Sequence, residues 1–86
     1  MSDGQLVYVT SPDCTFCTEG RALVWKLAHE IGLELVELPW DSPQGKALVE
    51  RGGAFFPPAL YRDDRLLGYG RLSERKLRKQ LARVPE

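Results

Sequence analysis

Gln5 to Thr10 reads QLVYVT, a run dominated by β-branched, aromatic and aliphatic residues. Such a run favours a strand. Its near-continuous apolar character asks for cover on both faces, the situation of a strand at the centre of a sheet. The chain has 86 residues, so a single domain over residues 1–86 must provide that cover, with a core shared among a few elements.

The segments after this strand are cut by clear punctuation. Ser11-Pro12-Asp13 breaks the strand, and Asp13 stands where a helix N-cap belongs. From Cys14 to about Ile31, Cys17, Ala22, Trp25, Ala28 and Ile31 recur at helical spacing, with Leu23, Val24 and Leu27 beside them. Trp25 is thereby assigned to the inner stripe. Gly32 suits the residue that ends a helix. Leu33 to Leu38, LELVEL, alternates with a strand's period, and Pro39 closes it. Asp41-Ser42-Pro43 resembles a helix start, with Pro43 at the first position; Gly45 weakens its first turn, and Gly52-Gly53 ends it after Arg51. Ala59 to Arg62 and Arg65 to Gly68 read as strands joined at Asp63-Asp64. Ser73 caps a last helix with Leu77 and Leu81 inward, ending before Pro85. The order is βαβαββα: an α/β fold with a four-stranded mixed sheet flanked by helices, the first two strands parallel and the last two antiparallel.

Cys14 and Cys17 are the only cysteines, and they fall where the first strand gives way to the first helix. A thiolate there gains from free backbone N–H groups and the positive end of the helix dipole, so Cys14 is expected to have a lowered pKa. Cys17 lies one helical turn on, within reach of a disulfide. This geometry favours a reversible pair in which Cys14 attacks and Cys17 resolves the mixed disulfide. Three other readings exist. A zinc site would draw on Cys14, Cys17 and His29, one ligand short of the usual four and with His29 far along the helix, so it needs a second subunit or carboxylates. A permanent structural disulfide of so short a loop removes little chain entropy. Two buried cysteines by coincidence would leave Phe16 exposed between them.

Hydrophobic residues make up 43% and charged residues 28%, an ordinary globular balance. No apolar run reaches the length of a membrane span, and the N-terminus has neither a basic nor an apolar leader region, so a cytoplasmic protein without membrane attachment is expected. Net charge is zero, yet from Arg62 onward eight basic residues against four acidic ones leave +4. A nucleic-acid surface is one reading of that end. A solvated helix face is the plainer one, because no aromatic ladder accompanies the charges, and no nucleic-acid partner is expected.

With CTFC set between strand and helix in this order of elements, the chain resembles the thioredoxin-fold superfamily, and the glutaredoxin family in particular, over nearly its whole length. Cys14–Cys17 takes the place of that family's CPYC. Glu37 to Asp41, ELPWD, is similar to the segment after its second strand, and Pro58–Arg62, Asp63-Asp64 and Leu66–Gly68 lie without gaps on its TVP strand and Gly-Gly end. The resemblance implies a cis-proline at Pro57 or Pro58, with the gapless register selecting Pro58. It also implies that neighbouring backbone pairs with an extended peptide or with glutathione. Without the resemblance, Pro57-Pro58 is a stiff entry to an edge strand.

Five positions depart from the family. Ser11 replaces a lysine that could hold a glutathione carboxylate. Asp13 places a negative charge beside Cys14, so only a modestly acidic thiol is expected. Phe56 and Pro57 stand at the Thr and Val of TVP. Tyr69 replaces the second glycine and closes off part of the glutathione groove. Phe16, Phe55, Phe56, Trp40 and Tyr69 are candidates to surround the cysteine pair as an apolar contact surface; for Phe55 and Trp40 a core role is the alternative.

These readings converge on a monomeric dithiol oxidoreductase with Cys14 and Cys17 catalytic. Phe16, Phe56, Pro57, Pro58, Gly68 and Tyr69 would meet a disulfide-containing protein or peptide. No cofactor is expected to be tightly bound; glutathione or a flavoprotein disulfide reductase would return the electrons. The alternatives are a non-catalytic binding module using the aromatic face, and a dimeric metal or iron–sulfur carrier.

Overall fold

The computed structural model describes residues 4–82. Its elements are β1 (Gln5–Thr10), α1 (Thr15–Ile31), β2 (Glu34–Pro39), α2 (Pro43–Gly52), β3 (Ala59–Arg62), β4 (Arg65–Tyr69) and α3 (Glu74–Ala82). The sheet order is β2-β1-β3-β4. β1 runs parallel to β2 and antiparallel to β3, and β3 runs antiparallel to β4. This is the expected mixed sheet, with QLVYVT inside it. Pro85, expected beyond the end of the last helix, lies outside the described residues.

The side-chain alternation of β1 divides the core in two. Leu6 and Tyr8 face α1 and α3, meeting Val24, Leu27, Leu60 and Leu77. Val7 and Val9 face the other way, packing with Leu48, Ala54, Ala59 and Tyr61 beneath α2. Two helices therefore share one face of the sheet, and Lys26–Glu74 and Arg78–Glu30 ion pairs at 3.4 and 2.8 Å join them. Part of the basic C-terminal charge is used within the fold: Arg78 bridges Glu30 and Glu74, and Arg65 donates to the Gln80 carbonyl at 3.0 Å.

The helix ends follow the sequence closely. Gly32 ends α1 in the left-handed region at φ 72°. Ser42 caps α2, its hydroxyl accepting from the Gly45 N–H at 3.0 Å. Gly45, expected only to weaken this turn, is required by it, because a Cβ there would strike the Pro39 carbonyl.

The inner stripe of α1 differs from expectation. Its buried residues are Cys17, Gly20, Val24, Leu27 and Ala28, whereas Trp25 is 60% exposed and Ile31 also faces solvent. The stripe is rotated by about one residue, and it includes Gly20, which is invisible to a hydrophobic pattern and sits against the Tyr8 hydroxyl. Leu27→Ala should therefore cost about 2–4 kcal/mol in urea unfolding, while Trp25→Ala should stay within about 0.5 kcal/mol.

Candidate active site

The site is built where strands end. β1 and β2 finish side by side, Thr10 opposite Pro39, and the chain turns from Thr10 through Ser11, Pro12 and Asp13 into α1. β3 begins at the same end of the sheet. Its register with β1 pairs Val9 with Ala59, and continuing it sets Pro58 beside Thr10. The Pro57–Pro58 peptide is cis, at the position the gapless register selected. The Pro58 carbonyl accepts from the Gly70 N–H at 2.7 Å, which closes the β3–β4 end beneath the loop.

Cys14 and Cys17 are joined as a disulfide with Cα atoms 5.1 Å apart. Asp13, expected from its residue type to cap α1, does not; Cys14 does. Asp13 instead adopts positive φ, 59°, turning the chain so that the Cys14 sulfur faces the helix opening and accepts from the Cys17 N–H at 3.1 Å. The Cys14 carbonyl accepts from the Thr18 N–H at 3.1 Å, the first bond of the helical ladder. The two sulfurs differ in access. Cys17 is 2% exposed and Cys14 is half-buried; both line an open, largely polar cleft of about 530 Å³ with Ser11, Asp13, Thr18 and Arg21. The more accessible cysteine, at a helix N-terminus and backed by an amide donor, can carry negative charge and exchange disulfides; its partner one turn later is largely covered and stands within reach of it.

An adjoining cleft of about 480 Å³ shares Ser11, Pro12 and Arg21 and reaches Glu37. Arg21 lies one turn beyond Cys17 and holds Glu37 with two hydrogen bonds, Nε to Oε1 at 3.1 Å and a terminal nitrogen to Oε2 at 2.7 Å. The Thr10 hydroxyl donates to the same carboxylate at 3.0 Å. The Arg21 hydrogen bonds hold the Glu37 carboxyl below its ordinary 4.5, with partial burial opposing them. This pair escaped sequence reading, since nothing local ties residue 21 to residue 37; the available signal was Arg21 four residues after Cys17.

On the β4 side the surface is aromatic. Tyr69 meets Phe55 and Phe56 edge-on, ring centroids 5.8 and 5.2 Å apart. Phe55 is 79% and Phe56 53% exposed. Trp40 packs on the α2-side core instead. Phe16 stands apart from the three rings, in a small cleft with Gly20, Leu23, Arg71 and Leu72. Gly68 faces Leu72 and Leu77 on the α3 side, away from the rings. His29 is exposed toward the far end of α1. Among the described residues no group of three His, Cys, Asp or Glu side chains gathers as a metal ion would require.

The pH response of the Glu37 pair has a definite sign. A carboxyl whose folded pKa is depressed contributes stability above its unfolded value, near 4.5, and loses it as pH falls through the lower folded value. Both partners are more than one-third exposed, so the contribution is below about 1 kcal/mol. Glu37→Gln should be less stable than the parent by up to that amount at pH 7, and the two urea midpoints should converge as pH falls through the lowered folded value.

No family model matches the chain. It is similar to a protein of Archaeoglobus fulgidus bearing the description "Probable Thioredoxin", 31% identical over 75 residues that cover 87% of this chain and 82% of that one. No helix among the described residues is long and apolar enough to cross a membrane. A likeness of that identity and coverage shows that this protein belongs to the thioredoxin superfamily of thiol–disulfide oxidoreductases.

Proposed function

We propose that this chain is a small glutaredoxin-like dithiol reductase whose substrates are disulfides presented by proteins or peptides. The observation that carries the reading is the unequal access of the two sulfurs. In the reduced protein Cys14, the reachable one, attacks a substrate disulfide; a Cys14–substrate bond forms and one substrate thiolate leaves. Cys17 gives up its proton to solvent and attacks Cys14. The substrate's second sulfur departs as a thiol, and the Cys14–Cys17 disulfide remains. Two electrons must then return from glutathione or from a flavoprotein disulfide reductase.

A protein or peptide substrate is favoured over free glutathione by what surrounds the pair. Ser11 offers no cation to a glutathione carboxylate, and Arg21 already spends its fork on Glu37. Phe55 and Phe56 present exposed ring surface on the β4 side, backed by a half-buried Tyr69. Such surface gains most by burial against apolar side chains flanking a substrate cysteine. Phe16 and Pro57 would extend this contact, with Gly68 behind it; Pro58, its side chain fully buried, would meet a substrate only through neighbouring backbone.

Cys14→Ser should abolish insulin disulfide reduction, and activity surviving that change would refute the mechanism. Cys17→Ser should hold the physiological partner as a mixed disulfide on Cys14. Phe56→Ala should raise KM for a protein disulfide about five- to thirtyfold, the loss of a central aromatic contact. It should leave the rate with a small reagent such as iodoacetamide unchanged. An equal effect on both would place Phe56 outside substrate contact.

A further inference from the structure

Tyr8 is fully buried on β1 between the sheet and α1. Its hydroxyl does not reach solvent. It donates to the backbone carbonyl of Cys17 at 2.8 Å, a buried bond linking the central strand to the first turn of the helix. That carbonyl also belongs to the helix's own ladder, so the phenol takes its second acceptor site. Access for the hydroxyl depends on Gly20: a Cβ there would stand 2.7 Å from the Tyr8 oxygen. Tyr8, Cys17 and Gly20 thus form one lock, with a glycine admitting a phenol that grips the residue carrying the second sulfur. Burial pushes the Tyr8 phenol up to about 12, so across the working range it is a neutral donor and not a base.

We infer that Tyr8 is a positioning residue for the resolving step, its hydroxyl holding the Cys17 turn so that the buried thiol stays aligned on Cys14 when no disulfide ties them together. The lock matters in one stage of the cycle. In the oxidised protein the covalent bond fixes Cys17. In the mixed disulfide Cys14 is bonded to the substrate, and only non-covalent contacts keep the Cys17 sulfur in line. A displacement of about 1 Å at that stage lowers the rate of an intramolecular attack steeply. The first step, attack by Cys14 on an outside disulfide, does not require Cys17 to be aligned. Removing the hydroxyl therefore separates two steps that a general loss of stability would affect together. It also frees the reduced state more than the oxidised one, so the dithiol becomes easier to keep and the reduction potential rises.

The inference rests on the Cys14–Cys17 dithiol reading, and one experiment tells their failures apart. Pre-reduced protein is mixed with Ellman's reagent at a pH low enough to resolve two phases of released aryl thiolate. The first phase reports Cys14 forming the mixed disulfide, and the second reports Cys17 displacing the remaining aryl group. If the parent protein releases only one equivalent, the dithiol reading itself fails. With two equivalents from the parent, Tyr8→Phe should leave the first phase unchanged and slow the second about three- to tenfold, the worth of one net hydrogen bond expressed as a rate. The reduction potential should rise by about 15–30 mV for the same loss. A second phase at the parental rate, or both phases slowed alike, overturns the inference even if thermal stability falls. Should Tyr8→Phe not fold, Gly20→Ala makes the same test by displacing the hydroxyl and is judged by the same ratio of phases.

Discussion

One hydrogen bond organises the chemistry: the Cys17 N–H directed at the Cys14 sulfur, 3.1 Å away. Two effects of opposite sign meet there. Asp13 brings a carboxylate to the residue before Cys14, while the helix opening brings amide donors. Asp13 is exposed, so water and salt screen it, and its influence stays in the range of a surface charge, under about 1 kcal/mol. The amide touches the sulfur with no solvent between them, and a hydrogen bond to a charged group is worth roughly 1.5–3 kcal/mol. The donor therefore outweighs the neighbouring charge. The helix can begin on a cysteine only because Asp13 accepts a left-handed conformation that swings the sulfur onto the helix axis.

That arrangement would be useless on a loose helix, and the central strand prevents looseness. β1 buries both faces, so its alternate side chains anchor two layers at once. Val7 and Val9 fix the sheet against α2. Leu6 and Tyr8 fix it against α1, and Tyr8 extends the anchorage to the backbone of the active turn. Requirements of folding and of chemistry thus meet in one strand. Its apolar run looks like core alone, yet its tyrosine oxygen lies 2.8 Å from the carbonyl of the second cysteine.

Most of the architecture was legible because it is written in local signals. The break after Thr10, the prolines and glycines around α2, the Asp63-Asp64 turn and the alternation in LELVEL each mark an element end or period within a few residues. The cysteine pair was legible for the same reason, spacing and placement being local. What escaped depends on approach between elements distant in sequence. The α1 stripe includes Gly20, which carries no hydrophobic signal and is informative only once Tyr8 is known to sit against it. The ion pair of Arg21 with Glu37 requires the packing of α1 over β2. The cap on α1 was misassigned because asparagine, aspartate, serine and threonine dominate such positions, and a sulfur acceptor is outside that repertoire. The misassigned cap and the glycine beside the buried tyrosine lie at the active turn, where local rules give way to the demands of the site.

The sheet order also explains why the surroundings of the pair are unequal. β2 lies on one side of β1, and β3 with β4 on the other. The β2 side carries Arg21, Glu37 and Thr10, and the β4 side carries Phe55, Phe56 and Tyr69. Arg21 is neutralised by a bidentate carboxylate, so a further anion gains little there without displacing Glu37. The rings have no such competitor: each square ångström they bury against an apolar partner returns about 25 cal/mol. Under the proposed function, affinity for a disulfide-bearing chain would come from the aromatic side, while the polar side would orient what is already held. A dithiol of ordinary chemistry would then acquire its selectivity from that imbalance, set by which strands flank β1.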